Sequence, residues 1–180
     1  MKKYHVYGIG NALVDLEFTL NPDFFIKNNI EKGVMTLVDE NRHHLLLNEL
    51  GHPKKKACGG SAANTVIAVS QFGGHSYYSC KVANDDFGRF YLEDLKKNGV
   101  DTNPHSNDTS SHTGKCIVMV TPDADRTMNT FLGITTNFSY AEVIESALKD
   151  SQYIYIEGYL VASPSAKEAA VKSKKLAETS

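Results

Sequence analysis

No charged residue interrupts the tract from Ala57 to Cys80, and its opening, Cys58-Gly59-Gly60-Ser61-Ala62-Ala63-Asn64-Thr65, constrains the chain more than any other stretch. Paired glycines before a hydroxyl residue, two alanines and an asparagine describe a loop that turns directly into a helix. Gly59 and Gly60 lack a Cβ, so the backbone reaches dihedrals closed to other residues and a second group can approach the main chain. Ser61 is a favourable N-cap, and the N–H groups of the first helical turn have no partner within the helix. From Ala62 to Phe72 the apolar residues Ala62, Ala63, Val66, Ile67, Ala68, Val69 and Phe72 predict a helix buried around nearly its whole circumference. Asn64 falls one turn from Gly60 in that helix, where its amide needs a partner. Alone, the stretch fits two readings. One is a capped core helix whose asparagine braces a loop; the other is a helix start that receives an oxygen-rich ligand, favoured by the helix dipole.

At 180 residues the chain can bury a real core. A net charge of -2 shows no basic excess, which argues against general binding to nucleic acid or to an anionic membrane. The three cysteines, Cys58, Cys80 and Cys116, have no CxxC spacing and an odd count, so a reducing compartment is expected rather than a disulfide framework or structural zinc. The N-terminal Met1-Lys2-Lys3 is followed too soon by His5, Gly8, Asn11 and Asp15 for a signal peptide. The charge-free tract is long enough to span a bilayer, but Ser61, Asn64, Thr65, Ser70, Gln71, His75 and four glycines make it too polar. A soluble, cytoplasmic protein is expected.

In chain order, Tyr4 to Ile9 predicts a strand ended by Gly8-Ile9-Gly10-Asn11, and Ala12 to Leu20 a second strand on which Leu13, Asp15, Glu17 and Thr19 share one face. A short helix is expected from Pro22 to Asn29, a strand from Gly33 to Asp39 and a helix from Glu40 to Leu50. Pro53 and Lys54-Lys55-Lys56 read as an exposed lead into the glycine turn. A strand from His75 to Val82 follows, then a helix capped at Asn84-Asp85-Asp86 and closed by Gly99. Asp101 to Thr113 is turn-like. Lys115 to Thr121 and Arg126 to Leu132 predict a hairpin about Pro122-Asp123-Ala124-Asp125. Tyr140 to Lys149 predicts a helix, Tyr153 to Ile156 a strand, and Ser165 to Ala177 a helix capped by Ser163-Pro164. Strands alternating with helices imply an α/β fold with a mostly parallel sheet. The strands near 12–20, 33–39 and 115–132 lack intervening helices and predict a smaller β-rich lid. The closing helix should lead back to another parallel strand, so an N-terminal portion of a longer domain is expected.

Several chemistries are disfavoured by spacing. Gly8-Ile9-Gly10 has Leu13 where a dinucleotide-binding loop needs its third glycine. Gly114-Lys115-Cys116 lacks the upstream glycine of a Walker A loop. The seven histidines form no HExxH or His/Cys zinc pattern. Cys58 has no His or Asp placed by sequence to activate it, so a small buried thiol is expected. What remains suits a polyol: Asn11 at the end of the first strand, Asp15 on the second, and Gly59, Gly60 and Asn64 at the helix start. A carboxylate accepts two hydroxyl hydrogen bonds, an amide donates and accepts, and bare glycine N–H groups reach sugar oxygens.

The segments Tyr7-Gly8-Ile9-Gly10-Asn11-Ala12-Leu13-Val14-Asp15, Gly59 to Thr65, Lys81-Val82-Ala83-Asn84-Asp85-Asp86-Phe87-Gly88 and Thr121 to Thr127 together resemble the ribokinase-like carbohydrate kinases of the PfkB family, in its adenosine-kinase-like branch. The resemblance implies a three-layer ribokinase-like domain with a β-sheet lid, and transfer of the ATP γ-phosphoryl group to a primary hydroxyl with Mg²⁺. It implies that Asp15 holds ribose hydroxyls with help from Asn11, Gly59, Gly60 and Asn64. Met35, Ser61 and Met128 fall where adenosine kinases contact the nucleoside, Tyr159 lines the base pocket, Glu157 lies beside the substrate and Arg126 approaches the phosphates. The family's Gly-Ala-Gly-Asp segment, with its general-base aspartate, is expected beyond Ser180, with most of the ATP site, leaving the 180 residues alone inactive. A small-molecule sugar or nucleoside partner and a homodimer through the lid complete the expectation. Two alternatives stay open: an acceptor such as ribose, fructose or a keto-deoxy acid, and a non-catalytic sugar- or nucleoside-binding module.

Overall fold

The computed structural model describes residues 2–104 and 108–180, and its strands form two sheets. The chain runs Tyr4–Ile9 (β1), Leu13–Thr19 (β2), Asp23–Lys27 (α1), Met35–Leu37 (β3), Glu40–Leu50 (α2), Lys55–Gly59 (β4), Ser61–Gln71 (α3), Ser76–Ser79 (β5) and Asp86–Lys97 (α4). It continues through Val100–Thr102 (β6), Gly114–Val120 (β7), Arg126–Phe131 (β8), Glu145–Lys149 (α5), Ser151–Ile156 (β9) and Pro164–Glu178 (α6).

The first sheet has the order β6-β5-β1-β9, and all of its pairs are parallel. Strand β1 is central because it carries apolar residues toward both faces. Tyr7 and Ile9 are fully buried with Phe138, Leu148, Leu160, Ala166 and Ala169 under α5 and α6. On the other face Val6 packs into the cluster formed by Val66, Tyr78, Tyr91 and Leu95 beneath α3 and α4. Helices therefore cover both sides of a parallel sheet, the three-layer α/β arrangement the alternating pattern predicts.

The second sheet has the order β3-β8-β7-β2-β4 and mixes parallel and antiparallel pairs. Its β7–β8 hairpin is the one read from Pro122 to Asp125. Period-two alternation sends Val14, Leu16 and Phe18 inward with Ile117, Met119 and Leu46. Each such side chain contributes about 1.5–3 kcal/mol relative to an exposed position. The opposite face carries Leu13, Asp15 and Glu17 from β2, with Gly59 opposite Leu13, Ala57 opposite Asp15 and Lys55 opposite Glu17.

Some expectations require correction. Lys55 and Lys56 are exposed, but they belong to β4, an edge strand paired antiparallel with β2; an edge position tolerates lysines that a central strand would not. Strand β6 overlaps the start of the region expected to be turn-like from Asp101, because three residues are too few to show a pattern. The tract from Asp101 to Thr113 also includes residues 105–107, outside the described residues. The helix expected from Tyr140 to Lys149 is a short 3₁₀ turn at Tyr140–Glu142, held by a Ser139–Glu142 capping box, followed by α5. Ser163 precedes α6 without capping it, since its Oγ donates instead to the Thr136 carbonyl at 2.7 Å.

Helix α3 differs most from its expectation. It buries only Ala62, Ala63 and Val66 completely; Ile67, Ala68 and Val69 are partly covered, Asn64 is exposed and Phe72 is 92% exposed. An apolar residue need not be buried, so composition overstated the covered arc. Ser61 is the first helical residue rather than the cap. The N-cap is Gly60, at φ 98°, where an added Cβ would lie 2.4 Å from the Asn11 carbonyl oxygen.

Candidate functional site

The β1–β2 junction, the start of α3 and the end of β9 meet around Asn11 and Glu157. Glu157 is 3% exposed, and both of its carboxylate oxygens accept hydrogen bonds. Oε1 accepts from Asn11 Nδ2 at 3.0 Å and from the Asn11 backbone N–H at 3.4 Å, while Oε2 accepts from the Ala62 N–H at 3.1 Å. Ala62 lies in the first turn of α3, so a carboxylate from β9's end satisfies the helix start that Ser61 does not cap. Gly10 makes this approach feasible, because a Cβ there would lie 2.6 Å from Glu157 Oε2.

The other end of the Asn11 amide is also held. Thr135 Oγ1 donates to Asn11 Oδ1 at 3.3 Å and accepts from the Ala12 N–H at 3.0 Å. Tyr78 Oη donates to the Asn11 carbonyl at 3.0 Å, and Tyr91 Oη to the Gly59 carbonyl at 2.9 Å. Neither Thr135 nor the two tyrosines stood out in the sequence, because these contacts join distant positions and leave no local pattern. Asn11 and Tyr159 also line a cavity of about 490 Å³ with Leu132, Thr136 and Leu160.

Asp15 sits one strand position beyond this cluster. Its carboxylate receives no hydrogen bond among the described residues, and burial pushes its pKa up to about 6, partly opposed by the charge of Arg126. It packs onto Gly59, where an added Cβ would lie 2.1 Å from Oδ1. The sheet register continues this face outward. Asp15 is opposite Cys116, Met128 opposite both Val118 and Met35, and Arg126 opposite Val120. Asp15, Gly59, Arg126, Met128 and Met35 therefore share one face of the five-stranded sheet, joined by Leu37 opposite Thr130. Met35 is 42% and Leu37 56% exposed, an apolar strip beside the carboxylate.

The structure thus joins Asn11 to Glu157 by hydrogen bonds, with Gly60 close against the Asn11 carbonyl, and sets Asp15, Gly59, Met35, Met128 and Arg126 on one sheet face. Ser61 and Asn64 stand exposed on the first turn of α3, outside the hydrogen-bonded cluster. Tyr159 is 64% exposed at the cavity rim. Cys58 is buried and donates from Sγ to the Tyr91 carbonyl at 3.2 Å; burial and nearby Asp94 push its thiol pKa up, so it is an inert thiol. Among the described residues there is no group of three or more His, Cys, Asp or Glu side chains that could hold a metal ion, and no helix long and apolar enough to cross a membrane.

Comparison with known proteins supports the fold. A probable sugar kinase from Rhizobium etli CFN 42 superposes with a TM-score of 0.92 at 34% identity, covering 99% of this chain and 54% of its own. The adenosine kinase of Sinorhizobium meliloti superposes with a TM-score of 0.91 at 35% identity, covering 98% of this chain and 54% of its own. A segment of 71 residues is 39% identical to a probable fructokinase-3 of Arabidopsis thaliana, covering 39% of this chain and 21% of that protein. The chain thus spans about half the length of the solved structures it matches. The pfkB family carbohydrate kinase model matches residues 38–180, so the chain belongs to the PfkB family of carbohydrate kinases.

Proposed function

We propose that the protein containing this chain is an ATP-dependent phosphotransferase that acts on the primary hydroxyl of a ribofuranoside, as an adenosine kinase does. The observation that carries the reading is Asp15: a half-buried carboxylate without a donor of its own, set against Gly59 on the face that also holds Met35 and Met128. Desolvating a carboxylate is costly unless donors arrive with a ligand, and vicinal ribose hydroxyls supply two. The neighbouring apolar strip suits a flat nucleobase better than solvent. The five-stranded sheet is then the lid over the acceptor, and the cluster from Asn11 to Glu157 its floor.

ATP and Mg²⁺ belong to the whole protein in this reading. The described residues do not by themselves form a metal site, and Arg126, exposed at the start of β8, is the cation assigned to the phosphates. Phosphoryl transfer also needs a positioned nucleophile and charge stabilisation at the γ-phosphoryl group. None of the carboxylates described is assigned as general base, since Asp15 is engaged with the acceptor; that group is placed outside the 180 residues.

ADP release from ATP by the full-length protein, with adenosine, ribose and fructose as acceptors, tests the proposal. The highest kcat/KM is expected with adenosine. A protein that releases no ADP with any nucleoside or sugar overturns it. The similarity to a fructokinase segment favours a second reading, a free-sugar kinase, which a preference for fructose or ribose would select.

A further inference from the structure

We infer that Glu157 and Thr135 are positioning residues that lock the Asn11 amide in a single orientation, so that the acceptor site presents a fixed N–H donor from Nδ2. The inference rests on the proposed function for what that donor is used on, but the lock itself is a matter of hydrogen-bond direction. A chain of donors runs one way: the Ala12 N–H donates to Thr135 Oγ1, Thr135 Oγ1–H donates to Asn11 Oδ1, and Asn11 Nδ2–H donates to Glu157 Oε1. The carboxylate end fixes the direction, because it can only accept. The Ala12 N–H takes one lone pair of the Thr135 hydroxyl, whose proton then meets the Asn11 oxygen that Glu157 turns toward it. Glu157 accepts from Asn11 Nδ2, the Asn11 N–H and the Ala62 N–H, and donates to nothing described. A flipped Asn11 amide would set its oxygen against a carboxylate oxygen and would leave the Thr135 hydroxyl proton without its Asn11 acceptor. The two stations are 3.0 and 3.3 Å from Asn11 and lie in buried surroundings, where an unmade bond is expensive.

Each Asn11 terminus still has one unused valence: the second Nδ2–H and the second Oδ1 lone pair. Asn11 is also one of the residues lining the cavity shared with Tyr159 and Leu132. An amide free to rotate would serve a donor or an acceptor equally; the locked amide selects an acceptor hydroxyl oxygen at the Nδ2 position. Glu157, whose two oxygens are occupied by Asn11 and Ala62, acts on the acceptor through Asn11 rather than by contact.

The test uses the full-length protein. Glu157→Gln replaces an acceptor oxygen by an NH₂ group, Thr135→Val removes the hydroxyl at constant shape, and Thr135→Ser retains it. For Glu157→Gln and Thr135→Val the acceptor KM should rise about 10-fold or more with the ATP KM within about twofold, and Thr135→Ser should stay close to wild type. In an Asn11→Ala background the effect of Thr135→Val on acceptor KM should shrink below about twofold, because residues acting through one another are not additive. Equal effects of Thr135→Val in both backgrounds, or unchanged acceptor KM in Thr135→Val, overturn the inference. If Glu157→Gln fails to fold through loss of the α3 cap, Thr135→Val and its serine rescue decide. NMR of the Asn11 side-chain NH₂ is a readout that needs no turnover. The proton bonded to Glu157 should lie well downfield of its partner and be protected from solvent exchange in wild type and Thr135→Ser, and in Thr135→Val should lose that protection and move toward the free-amide position; unchanged signals overturn the lock. A wild-type protein that turns over no acceptor while keeping those amide signals refutes the proposed function and leaves the lock standing.

Discussion

The carboxylate of Asp15 occupies the space that a side chain on Gly59 would need: an added Cβ would lie 2.1 Å from Oδ1 and 2.3 Å from Cγ. The two residues belong to adjacent antiparallel strands, with Asp15 opposite Ala57 and Gly59 opposite Leu13. Glycine at 59 therefore has a steric role here: it lets the carboxylate lie flat on the strand.

Gly59→Ala follows directly. The backbone at 59 is not in the left-handed region, so alanine adds no backbone strain, and the damage falls on the position of Asp15. Acceptor affinity by calorimetry should fall about 10- to 100-fold, equivalent to about 1.4–2.8 kcal/mol. The melting temperature should drop only a few degrees. Retained affinity would show that Asp15 does not hold the acceptor.

Asp15 should also cost the fold stability at neutral pH. Its pKa is raised from 3.8 to about 6 by burial, so between those values the folded state binds more protons than the unfolded state. The contribution is fully present below pH 3.8, declines as pH rises through about 6, and is absent above. The whole rise corresponds to roughly 2–3 kcal/mol. Asp15→Asn should accordingly be more stable than wild type to urea at pH 8, by about 1–2 kcal/mol, and lose that advantage by pH 4. It should bind acceptor worse at every pH. A variant no more stable than wild type at pH 8 contradicts the desolvated carboxylate.

His43 should give a pH dependence of opposite sign. It is 1% exposed, its Nε2 has no hydrogen-bond partner among the described residues, and burial lowers its pKa from 6.5 to about 4, with the charges of Lys115 and His44 acting in the same direction. The unfolded chain takes up the proton first, so His43's contribution is fully present above pH 6.5 and is lost as pH falls toward 4. His43→Leu should remove that acid-side loss. At pH 7.5 it should be neutral or stabilising, since it also removes an unpaired buried polar atom. Urea titrations of wild type and His43→Leu from pH 4 to 7.5 check this, and parallel curves would refute it.

The parts legible in the sequence were those carried by local pattern. Glu40–Leu50 and the hairpin of β7 and β8 appear at the expected places, because capping residues, helical spacing and a Pro-Asp turn act over a few positions. Asp15 and Gly59 were legible as chemistry but not as a contact, which depends on the register of β2 against β4. Strand β4 was hidden by Lys54 to Lys56. The partners of Asn11 were hidden more deeply: Thr135 lies 124 positions away and Glu157 146, and nothing local to either marks the bond. Asn64 shows the reverse failure, since a polar residue in an apolar run reads as buried and partnered when the helix simply turns it outward.

Met35 and Met128 allow the nucleoside and free-sugar readings to be separated by mutation. The two face each other in the register of β3 and β8, and Met35 is 42% exposed, so the pair offers apolar surface that a nucleobase can cover and a lone sugar ring cannot reach so fully. Burying apolar area is worth about 25 cal/mol per Å², so some 60 Å² of added contact is worth about 1.5 kcal/mol. Truncating both residues in Met35→Ala/Met128→Ala should therefore weaken adenosine binding by about 10-fold or more while changing ribose or fructose binding by less than about twofold. Methionine is unbranched and adapts to irregular surfaces, so the loss should appear mainly in the dissociation rate rather than in folding. Calorimetry with the three acceptors reads the result. Equal losses for nucleoside and free sugar would mean that the strip supports the sheet rather than a base. An unchanged adenosine affinity would place the base elsewhere, and the cavity of Tyr159 and Leu132 beside Asn11 is then where it must lie.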